Sequence, residues 1–167
     1  TISVPRIRKA DDIDPSKFEK GIDDKIFCKI VSLIRIAVPY TGMIISTRES
    51  QSVREKVLSL GVSQISGGSR TSVGGYTVEE RIDDTSQFDV SDTRTLDEVL
   101  NWLMKLNYVP SFCTACYRLG RTGDRFMELL KSSQISNCCH PNALMTLNEY
   151  LEDYASPETK QIGKKLI

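Results

Sequence analysis

Three cysteines near the C-terminal end carry the chemistry of this chain. Cys113 and Cys116 stand in a Cys-Thr-Ala-Cys step, and Cys139 follows after 22 intervening residues. Two thiolates at the short spacing can reach one metal centre from a single turn, and the third returns from the far end of a helix-length segment. Thiolates are soft ligands that select iron–sulfur clusters, zinc or copper(I). A structural zinc site takes four protein ligands, whereas three cysteines without an obvious fourth suit a cubane cluster with one iron left open. Two other readings stay open on spacing alone: a zinc site completed by Cys138 or His140, and inert thiols. Cys138 is adjacent to Cys139, and neighbouring residues point differently, so only one of the two is expected to ligate. His140 is the only histidine, which argues against a histidine-based hydrolytic centre. Cys28, on the apolar face of a predicted helix, is expected as a small core residue.

A second set of candidates lies at predicted strand ends. Arg48 follows the apolar run Met43 to Thr47, and a guanidinium there suits a substrate carboxylate, gripped bidentately. A surface ion pair with Glu49 is the plainer reading. Ser66-Gly67-Gly68-Ser69 follows the next predicted strand. Its small residues allow close backbone approach and offer N–H and hydroxyl donors, although a tight turn needs the same residues. Ligands of α/β sheets and barrels bind at the C-terminal strand ends, so two polar ends in succession suggest one shared pocket containing Arg48, Ser66 and Ser69.

The elements that must position these groups follow from periodicity and punctuation. Thr1 to Ile7 reads as a short strand, and the charged stretch from Arg6 to Lys20, with Pro15, as a loop. Asp23-Asp24 opens a helix whose Ile26, Phe27, Ile30, Val31 and Ile34 share a face, closed by Pro39. Gly42 to Thr47 is a buried strand. Ser52 and Glu55 make a capping box for a helix running to Leu60, with Gly61 as its stop. Val62 to Ser66 is a third strand. This alternation predicts βαβ units and a parallel sheet.

Residues 72–93 are polar, with Gly74, Gly75 and Asp83-Asp84, and read as a long irregular loop of the kind that often carries function. Thr95 and Glu98 form another capping box, before a helix with Leu96, Val99, Leu100, Leu103 and Met104 on its packing face. A helix over Thr122 to Lys131 follows, then a turn at Cys138-Cys139-His140-Pro141. A further helix is striped by Leu144, Leu147, Leu151 and Tyr154, and the basic last residues are expected to fray.

Composition narrows the function classes. The chain has 167 residues, enough for a real core. Lys+Arg and Asp+Glu both number 22, giving zero formal charge. No basic excess marks a nucleic-acid surface, and no apolar run spans a bilayer. The five cysteines are clustered rather than laid out as a disulfide framework, which suits a reducing cytoplasm. Thr1 stands where an initiator Met would, so an excised piece is expected.

Several stretches together resemble the C-terminal part of the [FeFe]-hydrogenase maturases, in the radical S-adenosylmethionine tyrosine lyase family. They are Thr1-Ile2-Ser3-Val4-Pro5-Arg6, Ser46-Thr47-Arg48-Glu49, Ser63 to Ser69, Gly74-Gly75-Tyr76, and the run from Cys113-Thr114-Ala115-Cys116 to Cys139-His140-Pro141-Asn142-Ala143. The family's cysteine spacing selects Cys113, Cys116 and Cys139 and disfavours Cys138. The resemblance implies the last βα units of a (β/α)8 radical-SAM barrel in residues 1–76. It implies a mainly helical, cluster-binding extension in residues 77–167.

The resemblance also implies chemistry. The family cleaves L-tyrosine to p-cresol, carbon monoxide and cyanide, and an auxiliary [4Fe-4S] cluster with an additional labile iron captures the diatomics. Arg48, with Ser66 and Ser69, resembles the holder of the tyrosine carboxylate. The intact enzyme uses a second [4Fe-4S] cluster and S-adenosylmethionine, and works with other hydrogenase maturation proteins. The radical-generating Cys-x3-Cys-x2-Cys motif is absent from these residues, so the chain alone is not expected to be active. An open half-barrel would expose sheet edges, so self-association is expected. The alternative from another class is a non-catalytic zinc-stabilised binding module, or a cluster scaffold.

Overall fold

The computed structural model of the chain describes residues 1–7, 13–18, 21–71, 75–76 and 90–167. Most of the expected irregular loop, the 76/77 domain boundary and part of the charged stretch before residue 21 therefore lie outside the described residues. The chain divides into two compact units, Thr1–Arg94 and Thr95–Ile167.

The first unit is an α/β layer. Strands β1 (Ile2–Ser3), β2 (Met43–Ile45) and β3 (Gln64–Ile65) pair in the order β1-β2-β3, all parallel. Ile2 stands opposite Met43, and Ile44 opposite Gln64. The paired strands are shorter than the apolar runs in the sequence suggest. Helices α1 (Asp24–Ala37) and α2 (Gln51–Ser59) form the crossovers, so the βαβ reading holds. Asp23 caps α1 by accepting the Ile26 N–H at 2.7 Å. On α1, Phe27 and Val31 are buried while Ile26 is exposed, and Cys28 is only half-buried, not the core residue expected. Gly61, at φ +99°, turns the chain after α2 as expected. Arg35 in the last turn of α1 reaches across to donate to the Gly61 carbonyl at 2.7 and 3.0 Å.

One expected cap is displaced. Ser50, not Ser52, caps α2, with its hydroxyl accepting the Val53 N–H at 3.4 Å. The turn after β2 closes when the Glu49 N–H donates to the Ser46 carbonyl. That leaves Ser50 as the first residue with extended backbone before the helix, and Ser52 already inside it.

The second unit is helical: α3 (Leu96–Lys105), α4 (Ala115–Arg118), α5 (Gly123–Lys131), α6 (Ser136–Asp153) and α7 (Pro157–Leu166). Thr95 and Glu98 form the reciprocal capping box read from the sequence. Trp102 is buried on α3, and Leu96, expected on the packing face, is exposed. Helix α7 packs on both α3 and α6, around a core of Met104, Leu147 and Leu151 with Ala155, Ile162 and Leu166 against it. Tyr154, expected in the α6 stripe, ends the helix and is exposed.

Two secondary-structure expectations in this unit are overturned. Cys138 to Pro141 is not a turn but the first part of α6, with Pro141 inside the helix. The entry is wound tightly by successive i→i−3 bonds (Ser136 to Ser133, Asn137 to Gln134 and Cys138 to Ile135). Proline inside a helix removes one hydrogen bond and costs about 3 kcal/mol. Burial of Leu147 and Leu151 further along the same helix offsets that cost. The basic tail does not fray; it forms α7, whose Ser156 cap and Pro157 at the first helical position are good start signals.

Candidate metal centre and strand-end site

The cysteines of the candidate metal centre come from two pieces of chain in the second unit. Cys113 precedes the one-turn helix α4 and Cys116 lies in it, while Cys138 and Cys139 lie in the first turns of α6. The turn after α4 closes at Gly120, whose φ of +59° glycine adopts without strain. The Arg121 N–H then reaches back to the Cys116 carbonyl at 2.9 Å, the six-to-one bond of a Schellman turn. This turn brings the positive charge of Arg121 within electrostatic reach of Cys139.

The thiols form one electrostatic group. Burial pushes the Cys139 thiol up, and the neighbouring thiolates of Cys116, Cys113 and Cys138 push it further, with Arg121 partly offsetting them. Clustered thiols that repel one another as thiolates form a donor set that a cationic metal group would stabilise. By donor type, the thiols of Cys113, Cys116 and Cys139 suit an iron–sulfur group. Among the described residues no three His, Cys, Asp or Glu side chains converge as ligands of a single metal ion. A four-ligand zinc ion needs that convergence, with Zn–S near 2.3 Å.

Helix phase separates the two adjacent cysteines. At about 100° per residue, Cys139, Ala143, Thr146 and Tyr150 fall on one face of α6, and Leu144, Leu147 and Leu151 on another. Thr146 and Tyr150 touch the chain just before Cys113: the Phe112 N–H donates to Thr146 Oγ1 at 3.3 Å, and the Phe112 and Tyr150 rings stack at 5.4 Å. Cys139 thus shares a face with residues that hold the Cys113 segment. An open cleft of about 730 Å³ borders this region, lined among others by Cys113, Arg118, Thr146, Glu149 and Tyr154.

The strand-end candidates lie in the first unit. Parallel pairing of β2 and β3 puts Arg48, in the turn after β2, and Ser66, after β3, at the same edge of the sheet. Ser66 continues the ladder by donating its N–H to Ile45 at 3.1 Å, and Ser66 and Ser69 are both half-buried. Gly68, at φ +62°, takes the left-handed conformation that the turn there requires.

Two ion networks behind that edge were not read from the sequence. Arg6, after β1, grips Glu49 bidentately through Nε and Nη2, and its Nη1 donates to the Ile22 carbonyl at 3.0 Å. It also contacts Asp24 at 2.9 Å and lies 4.5 Å over the Phe27 ring. Arg54, fully buried on α2, donates to Asp92 and to the Ser66 carbonyl, and Arg94 closes on Asp92 at 2.6 and 2.8 Å. Burial alone would raise the Asp92 carboxyl, but the hydrogen bond from Arg94 and the charges of Arg54 and Arg94 hold it below the usual range. The position of Arg6 after a strand carried the same signal that singled out Arg48. For Arg54, inside a polar helix, no local signal existed.

Comparisons with known proteins bear on both sites. A crystal structure of HydG, a maturase of the [FeFe]-hydrogenase, is 54% identical and superposes with a TM-score of 0.92 over 99% of this chain and 36% of that one. The structure of the FeFe-hydrogenase maturase HydG from Carboxydothermus hydrogenoformans is 40% identical, with a TM-score of 0.72 over 98% of this chain and 33% of its own. The 2-iminoacetate synthase of Escherichia coli (strain K12) is 27% identical over 126 residues, 75% of this chain and 32% of that protein. The chain thus spans about a third of the length of the proteins it matches. The resemblance to a hydrogenase maturase drawn from short motifs therefore extends over nearly the whole chain. The profile of the Biotin and Thiamin Synthesis associated domain matches residues 3–109, and on that match the chain belongs to the Biotin and Thiamin Synthesis associated domain family.

Proposed function

We propose that this chain is the part of a radical S-adenosylmethionine tyrosine lyase, a maturase of [FeFe]-hydrogenase, that carries the auxiliary iron–sulfur cluster and contributes to tyrosine binding. The observation that carries the proposal is the 54% identity with HydG over 99% of the chain, in a chain whose Cys113, Cys116 and Cys139 stand in two segments of one helical unit. In this reading the strands of the first unit are the last βα units of a (β/α)8 barrel, and the helical unit is the cluster-binding extension.

Cys113, Cys116 and Cys139 would hold the cluster. When bound, the [4Fe-4S] group would supply an iron without a protein thiolate, open to a further labile iron. The chain's own residues do the rest. The Schellman turn at Gly120 fixes Cys116 and Arg121, and α6 fixes Cys139. At the strand ends Arg48 grips the carboxylate of L-tyrosine, with the hydroxyls of Ser66 and Ser69 as further donors. Arg54 holds the Ser66 carbonyl and so fixes the backbone from behind.

The whole enzyme in this reading also uses a second [4Fe-4S] cluster and S-adenosylmethionine, works with other hydrogenase maturation proteins in the cytoplasm, and yields p-cresol, carbon monoxide and cyanide. The chain alone lacks the radical-generating cysteine motif and is inactive without it; exposed sheet edges favour its self-association.

The test is iron and acid-labile sulfide content after anaerobic reconstitution of the wild type, Cys113→Ala and Cys138→Ala. Cubane stoichiometry in the wild type, lost in Cys113→Ala and kept in Cys138→Ala, supports the reading. Zinc without sulfide, or loss of metal in Cys138→Ala, replaces it with the zinc-stabilised module.

A further inference from the structure

A polar anchor lies behind the cysteine site. The Asp97 carboxylate, in the first turn of α3, accepts the Tyr150 hydroxyl at 3.1 Å, the Ser156 N–H at 3.2 Å and its hydroxyl at 2.6 Å, and the Thr159 hydroxyl at 2.9 Å. One carboxylate thereby ties together α3, α6 and the cap of α7. Tyr150 is thus fixed at its hydroxyl end, while its ring stacks on Phe112 at an interplanar angle of 26°. Phe112 is the residue immediately before Cys113, and its N–H is held by Thr146, one turn from Tyr150 on the same face of α6. Thr146 is aimed in turn by donating to the Asn142 carbonyl at 2.9 Å.

We propose that Tyr150, anchored by Asp97, is a positioning residue for the cysteine site, setting through Phe112 where Cys113 presents its sulfur relative to Cys139. The inference rests on the cluster reading given above. Cys139 and Tyr150 are both rigid members of α6, about three helical turns apart. Any rotation or slide of the Cys113 segment against α6 changes the spacing of two thiolates that must meet one group. The stack and the Thr146 bond oppose such movement. Stacked aromatic pairs contribute beyond simple burial, and ligand orientation set by outer residues tunes the electronic properties of a metal group. Burial and the Asp97 charge also push the Tyr150 phenol up to about 12.

The experiment uses anaerobically reconstituted protein. It reads iron and sulfide content, the electron paramagnetic resonance spectrum of the reduced cluster, and its midpoint potential. Cys113→Ala identifies the signal that belongs to this site. Tyr150→Leu and Phe112→Leu remove the stack from its two sides, and each is expected to broaden the signal and shift the potential. The double variant should go no further than either single one, because both break one contact. Tyr150→Phe keeps the ring but loses the hydroxyl held by Asp97, and should shift the potential in the same direction by less than Tyr150→Leu. Ile162→Val, in the core of the same unit, lowers stability without touching the stack and should leave the spectrum unchanged. Should Tyr150→Leu fail to fold, Phe112→Leu, at an exposed ring, carries the same test. A wild type that binds no iron and sulfide overturns the cluster reading and this inference with it. A loaded wild type whose signal and potential survive both Leu variants overturns this inference alone.

Discussion

Replacing Asp97 by alanine tests the packing of the helical unit in one step. The carboxylate accepts hydrogen bonds from Tyr150, from Thr159 and twice from Ser156. Hydrogen bonds to a charged group contribute about 1.5–3 kcal/mol each. Their sum is not attained, because Ser156 and Thr159 also bond each other and Asn101 donates to Thr159 at 3.1 Å. Partial exposure of Asp97 weakens the electrostatic part further. A loss of about 2–3 kcal/mol is expected at neutral pH, read by urea denaturation followed by circular dichroism. The pH dependence gives a second reading. Burial raises the Asp97 carboxyl, but the hydroxyls of Ser156 and Thr159, the Ser156 amide and the Tyr150 phenol together hold it below its usual value. A carboxyl lowered in the folded state stabilises above its unfolded value, near 3.9, and loses that contribution as the pH falls through the folded value. The gap between wild type and Asp97→Ala should therefore be full at pH 7 and narrow below about pH 4. A loss under about 1 kcal/mol, or a gap unchanged in acid, would refute the reasoning.

Gly163→Ala should destabilise by about 1 kcal/mol: the gain in helix propensity is outweighed because the new Cβ would lie 2.4 and 2.5 Å from the buried Leu151 methyls. Leu151→Val should relieve part of that loss, and a rise in melting temperature for Gly163→Ala alone would contradict the packing. Asp92→Ala leaves the fully buried Arg54 without its carboxylate and should cost about 3–5 kcal/mol in chemical denaturation; a loss below about 1 kcal/mol would show the network to be dispensable. Arg48→Lys, which abolishes the bidentate fork, should weaken L-tyrosine binding measured calorimetrically in the reconstituted enzyme, and an unchanged affinity would remove Arg48 from the site.

Short-range signals were legible and mostly accurate. The Thr95–Glu98 box, the Asp23 cap and the stop at Gly61 need only neighbours within a few residues, and all three stand as read. The parallel sheet followed from alternation of strand and helix. The cap of α2 went to Ser50 because the turn after β2, not the motif, fixes where extended backbone ends. Pro141 read as a helix breaker because the local rule carries no knowledge of Leu147 and Leu151 packing further along the same helix. The α7 start at Ser156-Pro157-Glu158 was present in the sequence but masked by the basic tail after it.

For the candidate site the division is sharper. The sequence by itself determined the donor chemistry: three cysteines at a spacing that suits a cluster, and an arginine and serines at strand ends. Those are properties of residue type and order. Only the tertiary structure decided which groups stand together. The winding of α6 through Pro141 puts Cys139 on the face of Thr146 and Tyr150, and the parallel register puts Arg48 and Ser66 at one edge. Asp97 meets Tyr150 across 53 positions of the chain, and Arg54 meets Asp92 across 38. Such pairings carry no local signature, because the desolvation that makes them strong exists only once the helices and strands have closed around them.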